Sequence, residues 1–176
     1  MREAPSTDLL KFITGQEVLE ASETEKVAVQ YARLFLVPGD EAVRPYESVY
    51  CDALTIDTST ACSPYFPSSS HKISLNGYLG GPSSTAVREV YRQAGLDLAP
   101  ASHELPDHLA IELEFMGRLL ERRQTEQGKM FFHDHLARWV YDCLHQIKQK
   151  TDSGFYQSLT EKLEQFLLSE QALFST

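Results

Sequence analysis

Cysteine is scarce in this chain of 176 residues: Cys51, Cys62 and Cys143 are an odd number and show no CxxC spacing. That excludes both a disulfide framework and a zinc knuckle, and it suits a reducing compartment. Positive charge is also in deficit. Against 25 Asp and Glu there are 16 Lys and Arg, a formal net charge of -9, and such a field repels phosphate backbones and anionic lipid. Nucleic acid is not an expected partner. Long apolar runs are missing as well, the nearest being ARLFLVP, which contains Arg33 and closes on Pro38; a bilayer span needs about 20 residues. The start, MREAPSTDLL, has no charged segment leading into an apolar stretch, so no export signal and a cytoplasmic location are expected.

What is present is an ordinary globular composition, 42% hydrophobic and 23% charged, in a length that suits one domain over residues 1–176 with its own core. Period-2 alternation is confined to two short stretches, Ser48–Tyr50 and Lys72–Leu75. Helical periodicity runs through the rest. From Thr7 to Glu20, Leu9, Leu10, Phe12, Ile13 and Val18, Leu19 suggest one or two short helices broken near Gly15. The capping-box form Ser22-Glu23-Thr24-Glu25 precedes Val27, Tyr31, Leu34 and Phe35, and Val37-Pro38-Gly39 stops that helix. A further stripe, Ala86, Val87, Val90, Tyr91 and Ala94, ends at Gly95. The next helix is expected from about Pro106 with Asp107 at its dipole, carrying two apolar stripes: Leu109, Leu113, Met116, Leu120 and Ile111, Phe115, Leu119. Phe132, Leu136, Trp139, Cys143 and Ile147 read as one more stripe, and Tyr156, Leu159, Leu163 and Phe166 as the last. The fold class is therefore all-α, a single-domain helical bundle. Its early and middle helices are joined by a long, mostly irregular connection over residues 38–83, rich in Pro, Gly and aromatics and longer than most ordered loops.

Candidate chemistry is concentrated in two places. His103-Glu104-Leu105-Pro106-Asp107-His108 crowds titratable groups around a proline, but its histidines are five apart and Pro106 denies a helix between them, so the H-E-x-x-H metal geometry fails. No metal and no cofactor are expected. Glu104 and Asp107 instead form a polar rim able to hold a cationic side chain, or Asp107 simply caps the following helix. Pro45-Tyr46-Glu47-Ser48-Val49-Tyr50 gathers aromatics, a proline and a carboxylate suited to peptide recognition or to anchoring the connection. In His133-Asp134-His135, only His135 shares a face with Phe132, Leu136 and Trp139. Tyr78 to Ser84 lacks the P-loop lysine, and no Ser or Cys has a nucleophile's frame. No enzyme is indicated.

Three stretches in order carry a resemblance: Tyr31 to Gly39 with Pro45 to Tyr50; Val87 to Leu96 with Glu104-x-Pro106-Asp107-His108-Leu109 and Glu112 to Met116; and Phe132-x-x-His135-Leu136-x-x-Trp139. Together they resemble the TorD/DmsD/NarJ family of chaperones that mature molybdenum-containing oxidoreductases. The resemblance implies a cytoplasmic, non-catalytic, all-helical protein, monomer or homodimer. It would hold the N-terminal region of a precursor, often a twin-arginine signal peptide, until cofactor insertion is complete. It also implies a peptide-binding surface at Pro45, Tyr46, Glu47, Ser48, Tyr50, Glu104, Pro106, Asp107 and His108, with Met116, His135 and Trp139 from the motif helices. A chaperone for a redox subunit that stays inside the cell, or less favourably a His and carboxylate metal-binding protein, are the alternatives. The stretch Ala53 to Asn76 matches nothing in the pattern.

Overall fold

The computed structural model describes residues 5–15, 21–57, 72–98 and 103–174. Helix α1 (Thr7–Thr14) is capped by the Ser6 hydroxyl, which accepts the Leu9 N–H at 3.3 Å; Val18 and Leu19 lie outside the described residues. Helix α2 (Ala21–Tyr31) starts one residue before Ser22, so the anticipated capping box sits inside its first turn. The helix then widens into a π-turn, Ala32–Leu36, closed by Val37 N–H on the Ala32 carbonyl at 2.9 Å. Val37 is extended, as a residue before proline must be.

The expected irregular connection holds more order than its composition suggested. It contains a five-residue helix, α3 (Glu47–Cys51), and an antiparallel two-stranded ribbon, β1 (Ala53–Asp57) with β2 (Lys72–Asn76), registered Ala53 to Asn76. The alternating Lys72–Leu75 segment is therefore strand, whereas Ser48–Tyr50 is helix. The fold remains all-α, with the ribbon as its only sheet among the described residues.

Helix α4 (Pro82–Gln93) begins with proline in its first turn and stops as Gly95 takes a left-handed φ of 71°. Helix α5 (Leu109–Glu121) starts three residues later than expected. Leu105-Pro106-Asp107 forms a turn, and His108 is extended and caps α5 itself, its Nδ1 accepting the Ala110 N–H at 3.1 Å. The anticipated single stripe from Phe132 to Ile147 is broken into α6 (Thr125–Asp134), a 3-10 turn (Leu136–Arg138) and α7 (Val140–Lys150), because His135 leaves the helical region at φ -123°. All five stripe residues are nonetheless buried. Helix α8 (Gly154–Phe174) closes the described chain. It buries Phe155, Tyr156, Thr160, Leu167 and Phe174 and leaves Phe166 exposed, contrary to the stripe read from spacing.

These elements fall into two compact units. The first comprises Met1–Arg44 and Val140–Thr176, where α8 packs on α7 and on α1. The second is Pro45–Trp139, and it holds α3 to α6 and the ribbon. Its core is aromatic: Tyr91, Phe115 and Phe131 pack mutually with tilted rings, Phe115 and Phe131 edge to face with centroids 4.8 Å apart.

Candidate functional site

Every residue singled out for peptide binding lies in the second unit. Backbone pairing joins the two candidate segments. Leu109 N–H donates to the Pro45 carbonyl at 2.9 Å and Glu47 N–H to the Asp107 carbonyl at 3.0 Å, with Tyr46 and His108 facing each other as a bridge. Segments far apart in sequence thus form one short ladder.

The Asp107 side chain, anticipated as the cap of the following helix or as an exposed rim charge, does something else. It is fully buried, and its Oδ2 accepts the Ser48 N–H at 3.0 Å, capping α3 across the ladder. Glu104 is only partly buried and accepts the Tyr46 hydroxyl at 2.6 Å. The Tyr46 and His108 rings meet edge-on at 5.0 Å, and the Pro106 carbonyl accepts the Tyr91 hydroxyl at 2.9 Å.

Behind this surface lies an acidic interior. Glu47 is fully buried, with Oε2 2.9 Å from His135 Nδ1 and Oε1 3.7 Å from Arg138 Nη1. Glu112, also fully buried, accepts Trp139 Nε1–H at 3.3 Å. Trp139 in turn stacks on Tyr50 at 5.5 Å and 28°. Glu47, Asp107 and Glu112 each keep one buried oxygen without a hydrogen bond among the described residues. Burial, and then the charge of Glu47, hold the Glu112 carboxyl well above the usual range; Asp107 adds to this and the Trp139 bond opposes it. Burial and Glu47 push the Cys51 thiol up to about 11, which keeps it an unreactive thiol at neutral pH. Burial, with Glu112 next, raises the Tyr91 phenol as well.

Among the anticipated residues, only Tyr50, Glu104, Pro106 and His108 keep partial exposure; Pro45, Tyr46, Glu47, Ser48, Asp107, Met116, His135 and Trp139 are buried. Glu112 was not singled out, although its signal is legible: it is the lone carboxylate on the face Leu109, Glu112, Met116, Leu119. Arg138 and Asp52 were missed too. Asp52 caps α4 from outside it, accepting the Ser83 N–H at 3.0 Å and the Ser83 hydroxyl at 2.7 Å. Among the described residues no group of three or more His, Cys, Asp and Glu is arranged to hold a metal ion.

The family model described as the nitrate reductase delta subunit matches residues 3–145. The chain belongs to that family. The resemblance to the TorD/DmsD/NarJ chaperones is carried further by curated relatives. A protein named "Probable Tat proofreading chaperone DmsD" from Haemophilus influenzae is 25% identical over 142 residues, which are 81% of this chain and 59% of its own length. "Chaperone protein TorD" from Histophilus somni is 23% identical over 173 residues, 89% of this chain and 77% of its own. "Chaperone protein TorD" from Vibrio vulnificus strain YJ016 is 24% identical, covering 93% and 80%. The chain thus spans less than two thirds of the DmsD relative's length. No described helix is long and apolar enough to cross a membrane.

Proposed function

We propose that this chain is a cytoplasmic chaperone, not an enzyme. In this reading it binds the N-terminal twin-arginine signal region of a molybdenum-containing oxidoreductase subunit and assists folding and cofactor insertion before export. The observation that carries the reading is the family match together with relatives named as TorD and Tat proofreading chaperones. The site's chemistry supports it. The partly exposed Glu104, His108, Pro106 and Tyr50 put a carboxylate beside aromatic and apolar surface, on a chain of net charge -9, and a basic peptide with an apolar stretch complements that pairing. The buried members then act as a frame: Asp107 holds α3, and Glu47 ties α3 to His135, so that the exposed groups are preorganised.

Calorimetric titration with a synthetic peptide, an arginine pair followed by a leucine-rich stretch, tests this. Glu104→Gln keeps an acceptor for the Tyr46 hydroxyl and removes the charge. Loss of one charge-assisted hydrogen bond, about 1.5–3 kcal/mol, should weaken binding roughly ten- to hundredfold at unchanged melting temperature. Equal affinities for wild type and variant would overturn the assignment of Glu104.

A further inference from the structure

The second unit contains a pocket of about 250 Å³ between α4 and α6, floored by α5, that none of the roles above uses. Val90 of α4, Phe115 and Leu119 of α5 and Phe131 of α6 give it apolar walls. Pockets for cofactors and drug-sized molecules run from about 300 Å³ upward; this one is the size of one or two aliphatic side chains. Its mouth holds Met130, 63% exposed, whose flexible thioether adapts to differently shaped apolar partners. Asp134, exposed, is the only acidic or basic side chain lining the pocket besides His135, and no Lys or Arg lines it. Arg122, which reaches one end, donates to the Ala94 carbonyl at 3.4 Å.

His135 links this pocket to the peptide surface. It contributes to the pocket lining, stacks on Phe131 at 5.2 Å and meets Glu47 at 2.9 Å, and Glu47 begins α3 next to Tyr46. The pocket and the Glu104 surface are thus two openings onto one framework.

We infer that this pocket receives a leucine- or phenylalanine-sized side chain of the bound peptide, with a neighbouring lysine or arginine pairing to Asp134. The inference rests on the chaperone reading above and adds to it a second, apolar anchor point. An apolar side chain fits against the walls that Val90, Phe115, Leu119 and Phe131 form, with Gln93 and Gln127 lining the pocket beside them, and the basic neighbour is what the exposed Asp134 carboxylate complements.

The chain has only three methionines, so the ε-methyl groups of ¹³C-labelled protein report on the pocket directly by NMR. The probes are the arginine-pair, leucine-rich peptide and a control in which serine replaces the leucines. On addition of the leucine peptide, the Met130 methyl signal should shift while the buried Met116 reports an intact fold. The serine control should bind at least tenfold more weakly and leave Met130 unmoved. Met130→Glu, at an exposed position, should lower affinity for the leucine peptide at least tenfold without changing the melting temperature. If the peptide binds and Glu104→Gln weakens it, but Met130 does not move and Met130→Glu binds as wild type, the pocket assignment is wrong and the chaperone reading stands. If the serine control moves Met130 as the leucine peptide does, the apolar anchor is likewise refuted. If neither peptide binds the wild-type protein, both readings fail together.

Discussion

Replacing Asp107 by alanine should destabilise the second unit by about 2 kcal/mol, contrary to the view of this loop as purely a binding rim. The carboxylate is fully buried and accepts the Ser48 N–H at 3.0 Å, and Ser48 is itself fully buried. Truncation therefore leaves an N–H at the start of α3 with neither water nor protein to accept it, which costs about 1–3 kcal/mol. Helix-cap replacements elsewhere fall in the same range, roughly 0.5–2 kcal/mol. An opposing gain comes from removing one of three crowded carboxylates. Asp107 is the last of the four influences on Glu112, after burial, Glu47 and the Trp139 bond. For a protein of this size each kcal/mol moves Tm by about 2–4 °C, so the expected fall is roughly 4–8 °C. Asp107→Asn retains an acceptor and sheds the charge, and should stay within about 1 kcal/mol of wild type. Trp139 is the only tryptophan and belongs to the second unit, so its fluorescence during urea unfolding reads out this unit directly. The reasoning is refuted if Asp107→Ala melts within 1 °C of wild type. It is equally refuted if the asparagine variant loses as much as the alanine variant, since charge rather than the hydrogen bond would then matter.

Two further outcomes follow from the same interior. Glu112 has its carboxyl pKa raised, so the fold favours its neutral form; native stability should fall as pH rises from about 4.5 through the elevated value, because the unfolded chain ionises freely there. Glu112→Gln, neutral throughout and still an acceptor for Trp139, should gain Tm over wild type at pH 8 and little at pH 4.5; an identical difference at both pH values would contradict this. At Gly81 an added Cβ would sit 2.2 Å from Asp52 Oδ2, the carboxylate that caps α4. Gly81→Ala should thus cost about 1–2 kcal/mol in thermal melts through the displaced cap, and should add little once Asp52 is already Ala.

Much of this protein is local in origin and so was legible without a structure. Periodicity located α4, α5, α7 and α8, because burying one face of a helix requires apolar residues at a spacing set by its own pitch. Gly95 ended α4 because its left-handed φ costs a glycine little. The three motif stretches pointed to the family that residues 3–145 match. Those motifs named the two segments that the backbone ladder pairs, but not what each side chain does there. Asp107 reads locally as a cap for α5; it caps α3 instead, since only the ladder between Pro45 and Leu109 brings the Ser48 N–H to it. Asp52 reaches the start of α4 in the same way, by a contact between segments about thirty residues apart. The break at His135 was hidden because the stripe from Phe132 to Ile147 remains buried on both sides of it. The acidic interior is a tertiary fact altogether: Glu47, Asp107 and Glu112 carry ordinary surface-type side chains, and their full burial arises only when separate segments enclose them together.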